Sequence, residues 1–165
     1  MLLPDPEHLL QVLAGSIRPR ITPQTALVGI HSGGAWIAER LQQMLGHDLP
    51  LGTLDISFYR DDFSRIGLHP QAKPSHVPFE VEGCHILLID DVLYTGRTIR
   101  GAMNELFDYG RPASITLAVL VDRGGREMPV EAQIVGTQLP LQPLQSLELA
   151  LDDSGKFIFI LHEGA

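Results

Sequence analysis

The run Ile86-Leu87-Leu88-Ile89-Asp90-Asp91-Val92-Leu93-Tyr94-Thr95-Gly96-Arg97-Thr98 constrains the chain more than any other segment. Four consecutive aliphatic residues suit a parallel strand covered on both faces, because a strand with one wet face would alternate apolar and polar side chains. The apolar run closes on two carboxylates. A turn of small residues then leads into Ile99 to Tyr109, whose apolar positions recur at helical spacing. Strand, acidic edge, turn and helix therefore follow one another.

Each part carries its own chemistry. The backbone N–H groups of Thr95 to Thr98, at a helix N-terminus, have no intrahelical acceptor and lie at a partial positive charge, so a phosphate can settle there. Gly96 allows close approach, the Thr95 and Thr98 hydroxyls add short donors, and Arg97 either adds charge or faces solvent. Asp90 and Asp91 do not favour a bare phosphate. They suit the vicinal hydroxyls of a ribose, which are donors, or a hydrated Mg²⁺, which prefers oxygen ligands. The combination asks for a phosphorylated ribose. The plainer alternative is that the aspartates cap the helix and Thr95-Gly96 is an ordinary turn, but one arrangement must then explain strand, acids, glycine and both threonines. No Walker A loop is present, and neither Gly33-Gly34 nor Gly124-Gly125 completes a dinucleotide fingerprint.

Ile86 to Thr98 resembles the 5-phosphoribosyl-1-pyrophosphate (PRPP) motif of type I phosphoribosyltransferases. The resemblance narrows with Asp-Asp-Val-Leu-Tyr-Thr-Gly-Arg-Thr at 90–98, Gly-Arg-Pro at 110–112, Leu-Ala-Val-Leu-Val-Asp-Arg-Gly at 117–124 and Asp55-Ile56-Ser57-Phe58-Tyr59-Arg60-Asp61-Asp62. These blocks, in a similarity spanning roughly residues 25 to 162, resemble the PyrR family. Its members are pyrimidine operon attenuation regulators that also have uracil phosphoribosyltransferase activity. The resemblance implies an α/β fold of the type I phosphoribosyltransferases, with a mainly parallel central sheet flanked by helices, a flexible active-site loop and a small hood. It also implies Mg²⁺, PRPP and uracil as reactants, UMP or UTP as bound nucleotides, an mRNA leader as partner, and a homodimer or homotetramer. Readings kept beside it are a nucleotide-sensing regulator with little catalysis and a salvage enzyme for another base, such as adenine or xanthine.

Composition bounds the rest. A chain of 165 residues, 44% hydrophobic, predicts one domain over 1–165 with a substantial core. No stretch of 18 uninterrupted apolar residues exists, and an N-terminus carrying Pro4, Asp5 and Glu7 lacks a basic signal region, so no membrane partner is expected. The single Cys84 cannot form an internal disulfide, which favours the cytoplasm, and it reads as a packing residue. With 12 basic and 20 acidic residues the formal net charge is -8, so composition by itself does not point to nucleic acid, and DNA is not expected. Arg18, Arg20, Arg100, Arg111 and Arg126 are the candidates for a local basic face, and no RRM, KH or zinc-knuckle signature appears.

The periodicity predicts helices over 5–14, Ala35 to Leu45 (ended by Gly46) and Ile99 to Tyr109. It predicts strands over Ala26 to Ile30, Leu51 to Tyr59, Ile115 to Val121 and Ala132 to Val135. Leu147 to Leu151 and Phe157 to Leu161, joined by Asp152-Asp153-Ser154-Gly155, read as a closing hairpin that supports the fold. Alternating strands and helices argue for a parallel sheet with ligands at its carboxyl edge.

The resemblance assigns roles along that edge. His31-Ser32-Gly33-Gly34 becomes the pyrophosphate loop, although a glycine turn alone would read the same. Better-known members of the family carry arginine where Gly33 stands, and its loss removes a bidentate phosphate donor, which lowers pyrophosphate affinity or rate unless His31 or another subunit compensates. The connection from Tyr59 to Cys84, with Pro70, Pro74 and Pro78, becomes a lid that keeps water from the glycosyl-transfer transition state, the alternative being a surface excursion. Arg60 lies near pyrophosphate, while Tyr59, Asp61 and Asp62 organise the base of the loop; His69 and His76 read as solvated rather than metal-binding. Val121, Asp122 and Arg123 wall the nucleobase pocket, with main-chain groups of Val121 and Arg123 reading uracil; the alternative is a surface ion pair between Asp122 and Arg123. Tyr94 stands where hypoxanthine and guanine relatives place an aspartate that handles purine N7, and a phenol is a poor base at neutral pH. Asp90, Asp91 and Arg60 are thus the catalytic candidates, with Asp90 and Asp91 holding metal directly or through water. Tyr94, Thr95, Gly96, Arg97 and Thr98 surround the 5-phosphate.

Overall fold

The computed structural model describes residues 1–56 and 75–164. Helix α1 (Pro6–Ile17) begins where Asp5 accepts the Glu7 N–H at 3.0 Å and Pro6 fills a first-turn position that needs no N–H acceptor. Its stripe of Leu9, Leu10, Leu13, Ala14 and Ile17 is buried. After a short 3₁₀ turn (Arg18–Arg20) come β1 (Thr25–Ile30), α2 (Gly33–Leu45), β2 (Leu51–Leu54), β3 (His85–Leu93), α3 (Arg97–Tyr109), β4 (Ser114–Asp122) and β5 (Ile134–Gln138). Strands β6 (Gln145–Leu151) and β7 (Phe157–Glu163) close the chain as an antiparallel hairpin.

The five-stranded sheet has the order β2-β1-β3-β4-β5, and every pairing in it is parallel. Alternation within each apolar strand divides the core. Leu27, Leu87, Ile89 and Leu120 face α1, α2 and the hairpin's Leu147, Leu149 and Phe157; Ala26, Val28, Ile86 and Leu88 face Ile99, Ala102 and Leu106 of α3. The chain leaves β1 toward β2 on one side and β3 toward β4 on the other. The strand order therefore reverses between β1 and β3, which opens a crevice at the carboxyl edge.

Several boundaries differ from the sequence reading, each for a pairing reason. β2 stops at Leu54, not Tyr59, because β1 ends at Ile30 and the next residue, His31, spends its N–H on the Leu54 carbonyl at 2.9 Å. The part of the expected strand from Ser57 to Tyr59 lies outside the described residues. β3 runs on through both aspartates to Leu93, since β4 continues to pair with it after β1 has ended. β5 pairs only from Ile134, opposite Ala118, and extends to Gln138 opposite Asp122. α2 starts at Gly33 and α3 at Arg97, both earlier than their apolar periodicity indicates. Among the described residues no helix is long and apolar enough to cross a membrane.

β1 and α2 meet backbone to backbone. A Cβ on Gly29 would lie 2.5 Å from the Gly34 oxygen and 2.7 Å from the Ala35 Cα. Neither atom can rotate away, so Gly29→Ala is expected to lower unfolding free energy by about 1–3 kcal/mol, the usual cost of overpacking. Urea denaturation measures it, and an unshifted midpoint would contradict this packing.

Candidate active site

The turn before α3 is shaped by Gly96, which caps the helix at φ 92°, in the left-handed region that glycine adopts without penalty. Residues after β4 support it from beneath: the Glu127 and Met128 N–H groups both donate to the Thr95 carbonyl at 2.9 Å, and a Cβ on Gly96 would stand 3.1 Å from the Met128 Cβ. The Thr95 Oγ1 accepts the Arg97 N–H at 3.2 Å. Arg97 itself donates through Nε to Glu127 at 2.9 Å, an exposed pair of small energetic weight. Gly96 has no side chain to cap α3, and of the first-turn N–H groups the Arg97 one goes to the Thr95 Oγ1; a helix start of this kind can receive an anion on its remaining donors.

The acidic pair appears where the sheet loses a strand. β1 pairs with β3 only to Gly29 opposite Ile89, whereas β4 pairs onward with Asp90, Val92 and Leu93. Asp90 is buried and Asp91 half-buried. The Asp90 Oδ1 accepts the Asp91 N–H at 2.9 Å and the Asp91 Oδ1 accepts the Val92 N–H at 2.8 Å, which fixes how each carboxylate points. Two oxygen-donor carboxylates fit the partial shell that a protein offers Mg²⁺, the remainder coming from water and substrate. Among the described residues no group of three or more acidic, histidine or cysteine side chains gathers into a closed metal site.

Opposite stands the turn into α2. The His31–Ser32 peptide is cis, Ser32 caps α2 without a side-chain hydrogen bond, and its carbonyl accepts the Trp36 N–H at 3.2 Å. Gly33 and Gly34 are buried against the acidic end of β3. A Cβ on Gly33 would clash with the Asp91 carboxylate, 2.8 Å from its Cγ. The glycine in place of the arginine is therefore also space for Asp91.

At the end of β4, Asp122 pairs with Arg126 at 2.8 Å rather than with Arg123. Arg123 is 6% exposed; its guanidinium donates to the carbonyls of Gln145 at 2.8 Å and Gln142 at 3.0 Å, and stacks 3.7 Å from the centre of the Tyr94 ring. Its N–H is committed to the Leu93 carbonyl at 3.0 Å, and the Asp122 carbonyl to the Leu139 N–H at 2.9 Å. Val121 is buried, and Gly125 lies against the Tyr94 ring. Sequence reasoning gave Arg126 only as a candidate for a local basic face and missed its place in the site. Arg126 donates to the Tyr94 carbonyl at 2.6 Å and the Val130 carbonyl at 2.8 Å, clasping the two turns together. Its spacing of four from Asp122 was the available signal.

The two ends of segment 57–74 are also joined. Ser75 Oγ donates to the Glu105 Oε1 at 2.5 Å and accepts the Asp55 N–H at 2.9 Å, while Thr53 and His76 exchange backbone hydrogen bonds at 2.8 Å. Burial pushes the Glu105 carboxyl up, the hydrogen bond from Ser75 opposes this, and nearby Asp55 and Asp108 raise it further; its Oε2 is buried without a partner. Nothing in the sequence of α3 marked Glu105. Arg60, Tyr59, Asp61, Asp62 and His69 lie outside the described residues. His76 is exposed. Cys84 is half-buried, its thiol donating to the Glu80 carbonyl at 3.0 Å and pushed up in pKa by burial and by Glu80, as suits a packing role.

The family described as "Phosphoribosyl transferase domain" matches residues 13–145. The chain is 50% identical over 168 residues to the bifunctional protein PyrR of Nitrosococcus oceani, covering 95% of each. It is 54% identical over 145 residues to the bifunctional protein PyrR of Pseudomonas paraeruginosa, covering 86% of this chain and 85% of that one. Among solved structures, a hypoxanthine phosphoribosyltransferase from Staphylococcus aureus aligns with a TM-score of 0.65 at 23% identity, over 86% of this chain and 79% of that one. A purine phosphoribosyltransferase from Pyrococcus horikoshii aligns at 0.60 with 21% identity, over 84% and 87%. These two similarities show the shared fold.

Because Glu105 is raised above its ordinary 4.5, the folded state keeps its proton longer than the unfolded chain does. Its stabilising effect is complete below the unfolded value and is lost as pH rises through the folded one. Glu105→Gln, neutral at every pH, is therefore expected to unfold at a higher temperature than the wild type at pH 7, with the gap closing toward pH 4. A gap of equal size at both pH values would refute the assignment.

Proposed function

The chain belongs to the phosphoribosyltransferase family and, within it, to the bifunctional PyrR proteins, and from that premise we propose that it transfers ribose 5-phosphate from PRPP to N1 of uracil, giving UMP and pyrophosphate, and that uridine nucleotides bound in the same pocket govern its grip on an mRNA leader. The observation that carries the catalytic reading is the crevice between β1 and β3. There the N-termini of α2 and α3 flank an acidic pair whose carboxylates accept from adjacent main-chain N–H groups.

The N–H groups and hydroxyls of Thr95, Gly96 and Thr98 hold the 5-phosphate. Arg97, paired with Glu127, contributes its main chain rather than its guanidinium. Asp90 and Asp91 accept from the ribose hydroxyls and stabilise the positive charge that grows at C1. His31, Ser32, Gly33 and Gly34 receive the pyrophosphate at the first turn of α2, with Arg60 beside it. Asp90 and Asp91 would hold Mg²⁺, directly or through water, and the ion would supply charge neutralisation for the leaving group. Uracil falls to the main chain of Val121 to Arg123. Since the Arg123 N–H is already spent on Leu93, the carbonyl of that residue is the group that accepts from the base. Tyr94, pinned beneath Arg123 and against Gly125, stands where hypoxanthine and guanine enzymes offer a carboxylate, which disfavours that purine chemistry but not adenine. No side chain is placed as a general base, so positioning and electrostatics carry the rate. The functional unit is a cytoplasmic homodimer or homotetramer.

UMP formation from uracil and PRPP tests the first activity. Asp90→Asn and Asp91→Asn together are expected to lower kcat/KM by at least about 100-fold, the scale of removing a transition-state charge stabiliser. Full activity in the double variant would remove these carboxylates from the mechanism. For the second activity, a mobility-shift assay with the cognate 5′ leader at low salt should show RNA retention that UMP strengthens. Absence of any shift across the salt range would leave a phosphoribosyltransferase without the regulatory role.

A further inference from the structure

We propose that Gly33 is a positioning residue for Asp91: its missing side chain is what lets the carboxylate lie against the first turn of α2, so an arginine at this position and the observed Asp91 orientation exclude one another. This rests on the reading of the crevice as a PRPP site. A Cβ at 33 would approach the Asp91 Cγ to 2.8 Å and its Cβ to 3.2 Å, inside the 3.5–4.0 Å at which carbons pack. Asp91 cannot swing aside freely, because its Oδ1 is held by the Val92 N–H at 2.8 Å. The neighbouring glycine differs in kind. A Cβ at 34 would meet main chain, the Ile89 carbonyl and the Asp90 Cα at 3.0 Å, and so is blocked whatever Asp91 does. Gly34 serves the packing of α2 on β3, whereas Gly33 serves one side chain. The chain has thus exchanged a guanidinium on the pyrophosphate for a carboxylate held in one place, and restoring the arginine does not restore the grip.

A double-mutant cycle reads this directly. Wild type, Gly33→Ala, Asp91→Ala and the double variant are compared by thermal unfolding of the free protein and by calorimetric titration with PRPP. In the wild-type background Gly33→Ala is expected to lower the midpoint by about 2–4 °C and to weaken PRPP about tenfold. In the Asp91→Ala background, where only the 3.2 Å Cβ contact remains, the same change costs much less in midpoint, alanine also being the better helix former, and leaves PRPP affinity unaltered. Gly34→Ala should cost the same in both backgrounds. Equal losses for Gly33→Ala in both backgrounds, or tighter PRPP binding by Gly33→Arg, overturn the proposal. Should the wild type take up neither PRPP nor UMP, the functional reading fails, while the thermal cycle still decides the coupling.

Discussion

Main-chain hydrogen bonding in β3 outlasts that of its neighbour β1, and the arrangement of the crevice follows from this mismatch. β1 stops pairing at Gly29, while β4 carries β3 on to Leu93. From Asp90 onward β3 is therefore held firmly on one side and bare on the other. Backbone polar groups on a bare side must find partners; here Asp90 and Asp91 each give one oxygen to the N–H of the next residue. α2 can drop into the space vacated by β1 only because Gly29, Gly33 and Gly34 let main chain touch main chain and carboxylate. A larger residue at any of the three would lift the helix start away from the acidic pair or turn a carboxylate out of place.

The other wall is held by charge rather than by the sheet. Arg123 is taken out of water, and a buried cation is costly unless its donors are used. Two carbonyls before and at the start of β6 accept from it, and the Tyr94 ring covers its face. This makes the hairpin part of the site's support. The hairpin is fastened again at its far end, where the Phe157 N–H donates to Glu7 at 2.8 Å and Arg40 sits 5.0 Å from the Phe157 ring centre. Arg40, opposed by partial burial and helped by the Phe157 N–H, holds the Glu7 carboxyl below its ordinary range. The first helix, the last hairpin and the turn before α3 are thereby linked through ionic and main-chain contacts around one apolar core.

Local pattern was enough to find β3, the turn after it, α3 and the closing hairpin, because each is written in contiguous residues with period, cap and turn chemistry in agreement. It failed where the deciding partner is distant in sequence. Leu51 to Tyr59 reads as one strand by its apolar content, yet its end is set by Ile30, the last residue of the neighbouring strand. Asp122 and Arg123 are adjacent and oppositely charged, but Asp122 closes β4 and Arg123 is the first residue beyond it. Asp122 pairs with Arg126, and the Arg123 guanidinium goes to the Gln142 and Gln145 carbonyls. Gly33 read as a lost donor because the sequence shows what a residue cannot supply, and only the fold shows what it makes room for. Glu105 was hidden for the same reason: a glutamate on an amphipathic helix is ordinary until Ser75 is brought onto it.

Charge in the crevice limits what can enter it. Each helix N-terminus offers the equivalent of roughly half a positive charge; α2 starts against the acidic end of β3 and α3 follows it in the chain. In the proposed reading a nucleoside monophosphate lays its phosphate at α3 and donates its hydroxyls to the acids. A substrate that also carries a pyrophosphate brings more negative charge to the side where Gly33 has replaced a cation and Asp91 stands close by. In the proposed reaction a divalent ion carried in with PRPP would supply positive charge there, with Arg60 as the expected second source. Product binding, which lacks that end of the ligand, does not make the same demand. In the proposed reading, UMP binding therefore leans less on an imported cation than catalysis does.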